Sequence, residues 1–268
     1  MTQVKKMGTA LVTGASSGIG LELVRLFARD GYHVALVARS EEKLQEIARD
    51  LELRMGATST VVAADLADPT APPEIRRRLE GQGLEVDVLV NNAGYGCYGL
   101  FVETDAVDEL KMIQVNVAAL TQLTKLFLPG MLRRKRGAVL NVASTAAFQP
   151  GPLMAVYYAT KAYVLHFSEA LANELQGTGV TVTALCPGPT KTGFQAGAKM
   201  EESRLARGPW VMDAARVARA GYDGVRRGKG IVIPGLVNRL LAQSTRFTPR
   251  ALVTRIVRGM QEKASSRA

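Results

Sequence analysis

Cysteine, histidine and tryptophan are scarce in this 268-residue chain, at two, two and one. Cys97 and Cys186 are too few for a disulfide framework. His33 and His166 stand apart from any cluster with metal-ligand spacing, so no metal site is expected. No stretch approaches the roughly 18 consecutive apolar residues of a membrane span. Residues 1–8 hold two lysines without an apolar core, which argues against a signal peptide and for a cytoplasmic protein. Acidic residues are missing from one region. Residues 1–204 balance 21 basic against 21 acidic side chains, whereas residues 205–268 carry 13 against 3, the whole formal excess of +10.

What the chain does hold is a series of short motifs on a body long enough for one large α/β domain. Residues 9–13 (TALVT) are an apolar run ending in Gly14-Ala15-Ser16-Ser17-Gly18-Ile19-Gly20, and Leu21, Leu23, Val24, Leu26 and Phe27 then suit a buried helix. In such a strand, turn and helix, backbone amides can approach a pyrophosphate whose charge is favoured at the helix N-terminus. Glycine spacing alone also fits an ordinary turn; its place after the first strand favours a dinucleotide. The second strand, 33–38, should end near the adenosine ribose, where NAD sites commonly place Asp or Glu. Here Arg39 and Ser40 follow Ala38. A guanidinium attracts a 2′-phosphate, so NADP(H) is expected over NAD(H). The competing reading of Arg39 is a solvated residue opening a helix at 41–54. Asp65 and Leu66 follow a third strand at 60–64, where the adenine would lie; Asp65 equally suits a turn cap. A helix at 74–80, rich in arginine, reads as solvated surface.

A fourth strand, 86–90, leads into Asn91-Asn92-Ala93-Gly94, whose amides can tie strand ends together while its small residues admit a cofactor. Tyr95, Cys97, Tyr98, Leu100 and Phe101 follow among glycines, either lining an apolar pocket or anchoring the core. Asn116 sits between Val115 and Val117 in a helical stretch at 106–128, where a buried amide needs a partner. Arg133-Arg134-Lys135-Arg136 reads as a solvated turn before a fifth strand at 138–142. Ser144 follows that strand, and a loop with Pro150, Gly151 and Pro152 returns the chain to Tyr157 and Lys161. These two stand four residues apart on one face of a helix at 155–175. A phenol ionises near pH ~10 unassisted, so a tyrosine exchanging protons near neutrality needs a neighbouring positive charge. Lys161 is placed to supply it, although an isolated pair of this kind also reads as a packed aromatic beside a solvated lysine. A sixth strand at 180–185 precedes Pro187, Gly188, Thr190 and Thr192, and a seventh lies at 230–233.

Strands alternating with helices imply a doubly wound, mostly parallel seven-stranded α/β sheet with helices on both faces. Residues 1–235 form one dinucleotide-binding and catalytic domain in this reading. Within it, residues 193–210, with Phe194, Met200, Leu205 and Trp210, are a substrate lid or a plain connector. Residues 236–268 are a basic amphipathic extension. From Thr248, Leu252, Val253, Ile256, Val257 and Met260 fall on one side of a helix and Arg250, Arg255 and Arg258 on the other. That helix docks on the domain or a sister subunit, or it meets a membrane surface, an acidic carrier or a phosphate-bearing substrate. Nucleic acid is not expected, because no reading module or aromatic platform accompanies the charge.

Taken together, these residues resemble the short-chain dehydrogenase/reductase family in its single-domain form, over roughly residues 9–233. The glycine pattern T-G-x-x-x-G-x-G stands at Thr13 to Gly20 and N-N-A-G at Asn91 to Gly94. The resemblance implies a catalytic set of Asn116, Ser144, Tyr157 and Lys161. It implies cofactor contacts at Gly14, Ser16, Ser17, Gly18, Ile19, Gly20, Arg39, Ser40, Asp65, Leu66, Asn92, Ala93 and Gly94. Tyr157, Lys161, Pro187, Gly188, Thr190 and Thr192 join them at the nicotinamide end. In the implied reduction Tyr157 is the general acid and Ser144 holds the carbonyl oxygen. Lys161 lowers the Tyr157 pKa, and Asn116 positions a water that relays protons. Ala143 departs from the many members with a second serine there. The expected activity is NADP(H)-dependent reduction of a hydrophobic ketone or 3-ketoacyl substrate by a homodimer or homotetramer. The alternatives are an alcohol dehydrogenase of hydroxysteroid type working oxidatively, and a non-catalytic dinucleotide-binding regulatory or membrane-associated protein.

Overall fold

The computed structural model describes residues 7–198, 200, 203 and 210–262. In chain order these form β1 (Thr9–Thr13), α1 (Gly18–Arg29), β2 (His33–Ala38), α2 (Glu41–Met55), β3 (Ser59–Ala63), α3 (Ala71–Glu80) and β4 (Val86–Asn91). Then come α4 (Ala106–Ile113), a π-helical segment (Gln114–Ala119), α5 (Leu120–Arg133), β5 (Gly137–Val142), a short 3₁₀ turn (Thr145–Phe148) and α6 (Ala155–Glu174). The remainder is β6 (Val180–Leu185), β7 (Thr190–Lys191), α7 (Phe194–Gly197), β8 (Met212–Asp213), α8 (Ala214–Arg226), β9 (Ile231–Val232), α9 (Leu236–Ser244) and α10 (Arg250–Gln261). No described helix is long and apolar enough to cross a membrane.

Seven strands form one sheet in the order β3-β2-β1-β4-β5-β6-β9, each neighbouring pair parallel. This is the doubly wound architecture expected. A parallel sheet covered on both faces needs strands apolar on both sides, and every residue of β1 and β4 is buried. One face packs Leu23, Val24 and Phe27 of α1 with Val217 and Tyr222 of α8. The other packs Ile75 and Leu79 of α3 with Leu123, Phe127 and Met131 of α5. The order in which strands are added reverses between β1 and β4, which opens a crevice at their C-terminal ends.

Three local expectations are corrected. The third helix starts at Ala71 rather than 74, because Pro72 and Pro73 fill its first turn, where a missing N–H costs no intrahelical bond. The stretch read as one helix at 106–128 runs on to Arg133 and contains a π turn around Asn116. The basic turn is not merely solvated: Arg134 donates to the Val86 carbonyl at 2.7 Å, and Arg136 pairs with Asp87 at 3.0 Å. Asp87 in turn accepts from the Thr9 amide at 3.0 Å, so these charges fix where β1 and β4 begin.

A buried polar chain ties the helix α6 to the sheet. Asn91 and Asn141 are register partners on β4 and β5. The Asn91 amide donates to Asn141 Oδ1 at 2.9 Å and to Thr124 Oγ1 of α5 at 3.1 Å. Asn141 donates onward to Ser168 Oγ of α6 at 2.9 Å. Removing the middle link strands several buried polar atoms at once. Asn141→Ala is therefore expected to cost about 3 kcal/mol and lower Tm by roughly 6–12 °C. A calorimetric Tm equal to that of the wild type would show that the chain contributes nothing.

Candidate active site

The crevice opens into a cavity of about 1550 Å³ that runs from the glycine turn to the helices α9 and α10. At its first end Gly14 has φ 65°, a left-handed conformation that favours glycine. A Cβ on Gly20 would lie 2.1 Å from the Gly14 carbonyl oxygen, so only a glycine lets α1 press this close to β1. Asn92 secures the same turn, its side chain donating to the carbonyls of Thr13 at 2.9 Å and Gly14 at 3.3 Å. Thr13 Oγ1 accepts from the amides of Asn92 and Ala93. The two asparagines thus divide their work, Asn91 inside the sheet and Asn92 at the turn.

Most of the residues expected at a cofactor come together here. Gly14, Ser16, Ser17, Gly18, Ile19, Arg39, Ser40, Asp65, Leu66, Asn92, Ala93 and Gly94 line the cavity, as do Pro187, Gly188, Thr190 and Thr192. Gly20 acts from behind the turn through the packing just described. Arg39 is exposed at the rim, and Ser40 caps α2 by accepting from the Lys43 amide at 3.4 Å. Lys43 lines the same end and was missed, although its place one helical turn beyond Arg39 made it legible. Asp65 both lines the cavity and caps a turn, accepting from the Ala67 amide at 3.0 Å. A close-packed glycine turn, a helix N-terminus and a pair of cations at the far strand end fit a nicotinamide dinucleotide. No metal cluster occurs among the described residues.

Deeper in the cavity stand Ser144, Tyr157 and Lys161. Tyr157 is hydrogen-bonded to Ser144, whose hydroxyl also accepts from the Ala146 amide at 3.1 Å and faces the Pro187 carbonyl at 3.4 Å. Lys161 Nζ donates to the Val142 carbonyl at 2.8 Å and lies 5.8 Å from the centroid of the Tyr157 ring. Burial pushes the Tyr157 phenol well above its ordinary range, while the Ser144 bond works in the opposite direction. Burial also pushes the Lys161 ammonium down to about 8. The expectation that Lys161 lowers the Tyr157 pKa is not met in this structure: burial sets the shift, Ser144 opposes it, and Lys161 does not enter it. Asn116 lies outside the lining, 1% exposed. Its Oδ1 accepts from the Tyr95 amide at 3.2 Å, and its Nδ2 donates to the Tyr95 carbonyl and to Thr160 Oγ1. The partner that its buried position demanded is therefore both the loop after β4 and the helix α6.

The other end of the cavity is largely apolar. Gly96, Cys97, Tyr98 and Gly99 line it, whereas Leu100 and Phe101 point away into solvent. Phe194 of α7 packs against Tyr157 with ring centroids 5.1 Å apart, and Met200 and Trp210 join the wall. Leu205 of the expected lid lies outside the described residues. The chain's far end completes the wall. Val253 and Val257 of α10 are buried against Met154 and Tyr157, and the Gln261 amide donates to Tyr158 Oη at 2.7 Å. Tyr98 Oη donates to the Gln261 carbonyl at 2.7 Å. Nothing in the local pattern around residue 261 signals this, because its partners are supplied by distant segments.

The family model described as short chain dehydrogenase matches residues 8–203. The very-long-chain 3-oxoacyl-CoA reductase of Anas platyrhynchos is 39% identical over 183 residues, 66% of this chain and 58% of that protein. The chain therefore spans well under two thirds of that relative's length. A short-chain dehydrogenase from Sphingobium yanoikuyae, solved in complex with NADPH, superposes with a TM-score of 0.81 at 31% identity, covering 98% of each chain. An alcohol dehydrogenase from Comamonas testosteroni described as specific for bulky-bulky ketones superposes at 0.77 with 31% identity, covering 90% of this chain and 93% of that one. The chain belongs to the short chain dehydrogenase family.

Proposed function

We propose that the protein is an NADP(H)-dependent carbonyl reductase acting on a hydrophobic ketone or a 3-ketoacyl substrate. The observation that carries this reading is the convergence of Ser144, Tyr157 and Lys161 in a cavity that begins at the glycine turn. When bound there, a reduced nicotinamide supplies the hydride that the carbonyl carbon accepts. Ser144 Oγ donates a hydrogen bond to the carbonyl oxygen and fixes its position. Tyr157 passes its phenolic proton to that oxygen as negative charge develops on it. Lys161 places a positive charge near the phenolate left behind, and Asn116 holds the Tyr95 loop and α6 in register around the pair.

Burial favours the protonated phenol, which suits a group that begins a reductive turnover as an acid. Tyr98, Phe194, Met200 and Val253 surround the reacting end with apolar surface, which suits a hydrophobic carbonyl compound. The names of the reductase and ketone-specific relatives agree with that class.

The cofactor assignment rests on Arg39. Fluorescence titration should find NADPH bound more tightly than NADH. Arg39→Ala is expected to weaken NADPH by about 10- to 100-fold, the worth of a charged hydrogen-bonded contact, while leaving NADH unchanged. An unchanged preference in the variant would remove Arg39 from this role. NADPH oxidation with ketones and 3-ketoacyl thioesters in the same cuvette then tests the reaction. Folded protein that binds neither nucleotide would sink the whole reading.

A further inference from the structure

The face formed by α9 and α10 is apolar, basic and adjacent to the cavity mouth. α9 seats on the body through Ala242 and through Asn238, which packs against Gly188. Its outward turns leave Leu236, Val237, Leu240 and Leu241 between 54% and 70% exposed, and Phe247 beyond them is 88% exposed. At about 100° per residue these four fall on one stripe beside the buried edge. Val237 and Leu241 also line the cavity, as does the half-exposed Ile256 of α10. The stripe therefore borders the opening through which an apolar substrate enters. A contiguous apolar surface of this kind calls for a partner, whereas scattered single residues would not.

Charge narrows the choice of partner. Between Asp223 and Glu262 the chain has eight basic residues and no acidic one. Arg239, Arg246, Arg250 and Arg255 are exposed and form no ion pair among the described residues. In a two-fold contact with a second copy the same patch meets itself, and arginines would oppose arginines. An acidic protein would pair with the arginines but would need a fitted pocket for each exposed apolar side chain. A lipid surface needs none, because apolar side chains enter the acyl boundary while cations stay at headgroup level.

We propose that the α9–α10 face docks the protein onto an anionic lipid bilayer. Leu236, Leu240 and Phe247 enter the acyl boundary, and Arg239, Arg246 and Arg250 meet lipid phosphates. The docking stands on the surface itself and does not depend on which reaction the cavity performs. Its consequence for a reductase is that a membrane-dissolved ketone reaches the cavity without crossing water.

Co-flotation of the full chain with vesicles tests this. One set is phosphatidylcholine alone, and the other mixes phosphatidylcholine with phosphatidylglycerol. Binding is expected only to the mixed vesicles and should weaken as salt is raised. The double variant Leu240→Glu with Phe247→Glu should lose about tenfold or more of that binding. Arg239→Gln with Arg246→Gln should lose about thirtyfold. None of the four positions lines the cavity, so Tm and turnover of a water-soluble ketone should match the wild type. Those controls separate a failure of docking from a failure of folding or of the reductase reading. Equal binding to both vesicle types, no binding to either, or unchanged binding in either double variant overturns the proposal. Retention on immobilised acyl carrier protein without vesicle binding overturns it too, as does self-association abolished by Phe247→Glu in the absence of lipid.

Discussion

Tyr157→Phe is expected to lower kcat/KM for ketone reduction by about 10³-fold, within the range set by loss of a positioned general acid. The ring itself is retained. It packs edge-on against Tyr158 at 6.0 Å between centroids and against Phe194 at 5.1 Å, and phenylalanine keeps both contacts. What disappears is the hydroxyl and its bond to Ser144, so the carbonyl oxygen loses its proton source and Ser144 loses a partner. NADPH affinity should stay within about threefold, because a single lost neutral hydrogen bond is a modest term. Initial rates of NADPH oxidation and a fluorescence titration on the same sample read both quantities. A dinucleotide-binding protein without turnover would have no use for the hydroxyl. If the variant reduced ketones at the wild-type rate, the proton would have to come from elsewhere and Tyr157 would be a packing residue.

The first end of the cavity was legible in the sequence because its parts are local. A turn that needs φ above zero at Gly14 and no Cβ at Gly20 leaves a direct mark on residue choice. Tyr157 and Lys161 share one helix face, and Ser144 follows a strand that ends beside that helix. The substrate end left a weaker mark: Tyr98, Phe194, Met200 and Trp210 read either as pocket and lid or as core and connector. Tyr158 and Gln261 read as ordinary helix residues and meet Tyr98 only because α10 returns across the cavity. The same limit explains Arg134 and Arg136. A run of four basic residues looks solvated until the fold brings Asp87 and the Val86 carbonyl beside it. The π turn at Asn116 is a backbone event that side-chain periodicity does not register. For the tail, the pattern separated apolar from basic positions correctly, but it did not show that Val253 and Val257 would be buried while Leu252 and Ile256 stay half-exposed.

Lys161→Met should trade activity for stability, and the stability gain should vanish with rising pH. Lys161 is 6% exposed, and burial holds its ammonium at about 8 against an ordinary 10.5. The folded chain therefore binds this proton more weakly than the unfolded chain does. Below pH ~8 both states carry the charge and the folded one bears the full burial cost, on the order of 3 kcal/mol. Between pH ~8 and ~10.5 the unfolded chain holds more protons than the folded one, so wild-type stability rises with pH across that window. Methionine carries no proton, and the Val142 carbonyl that it leaves unpaired adds only an offset independent of pH. Urea unfolding of both proteins at pH ~7 and pH ~9.5 should show the wild type gaining about 2 kcal/mol relative to the variant. A difference that stays constant would mean that Lys161 is not burdened by burial in the folded protein. In the same variant kcat/KM should fall by about 10²-fold or more, since no cation remains to stabilise the Tyr157 phenolate. The opposite signs carry the argument: a buried ammonium that destabilises the fold near neutrality is retained where its charge stabilises a phenolate formed during turnover.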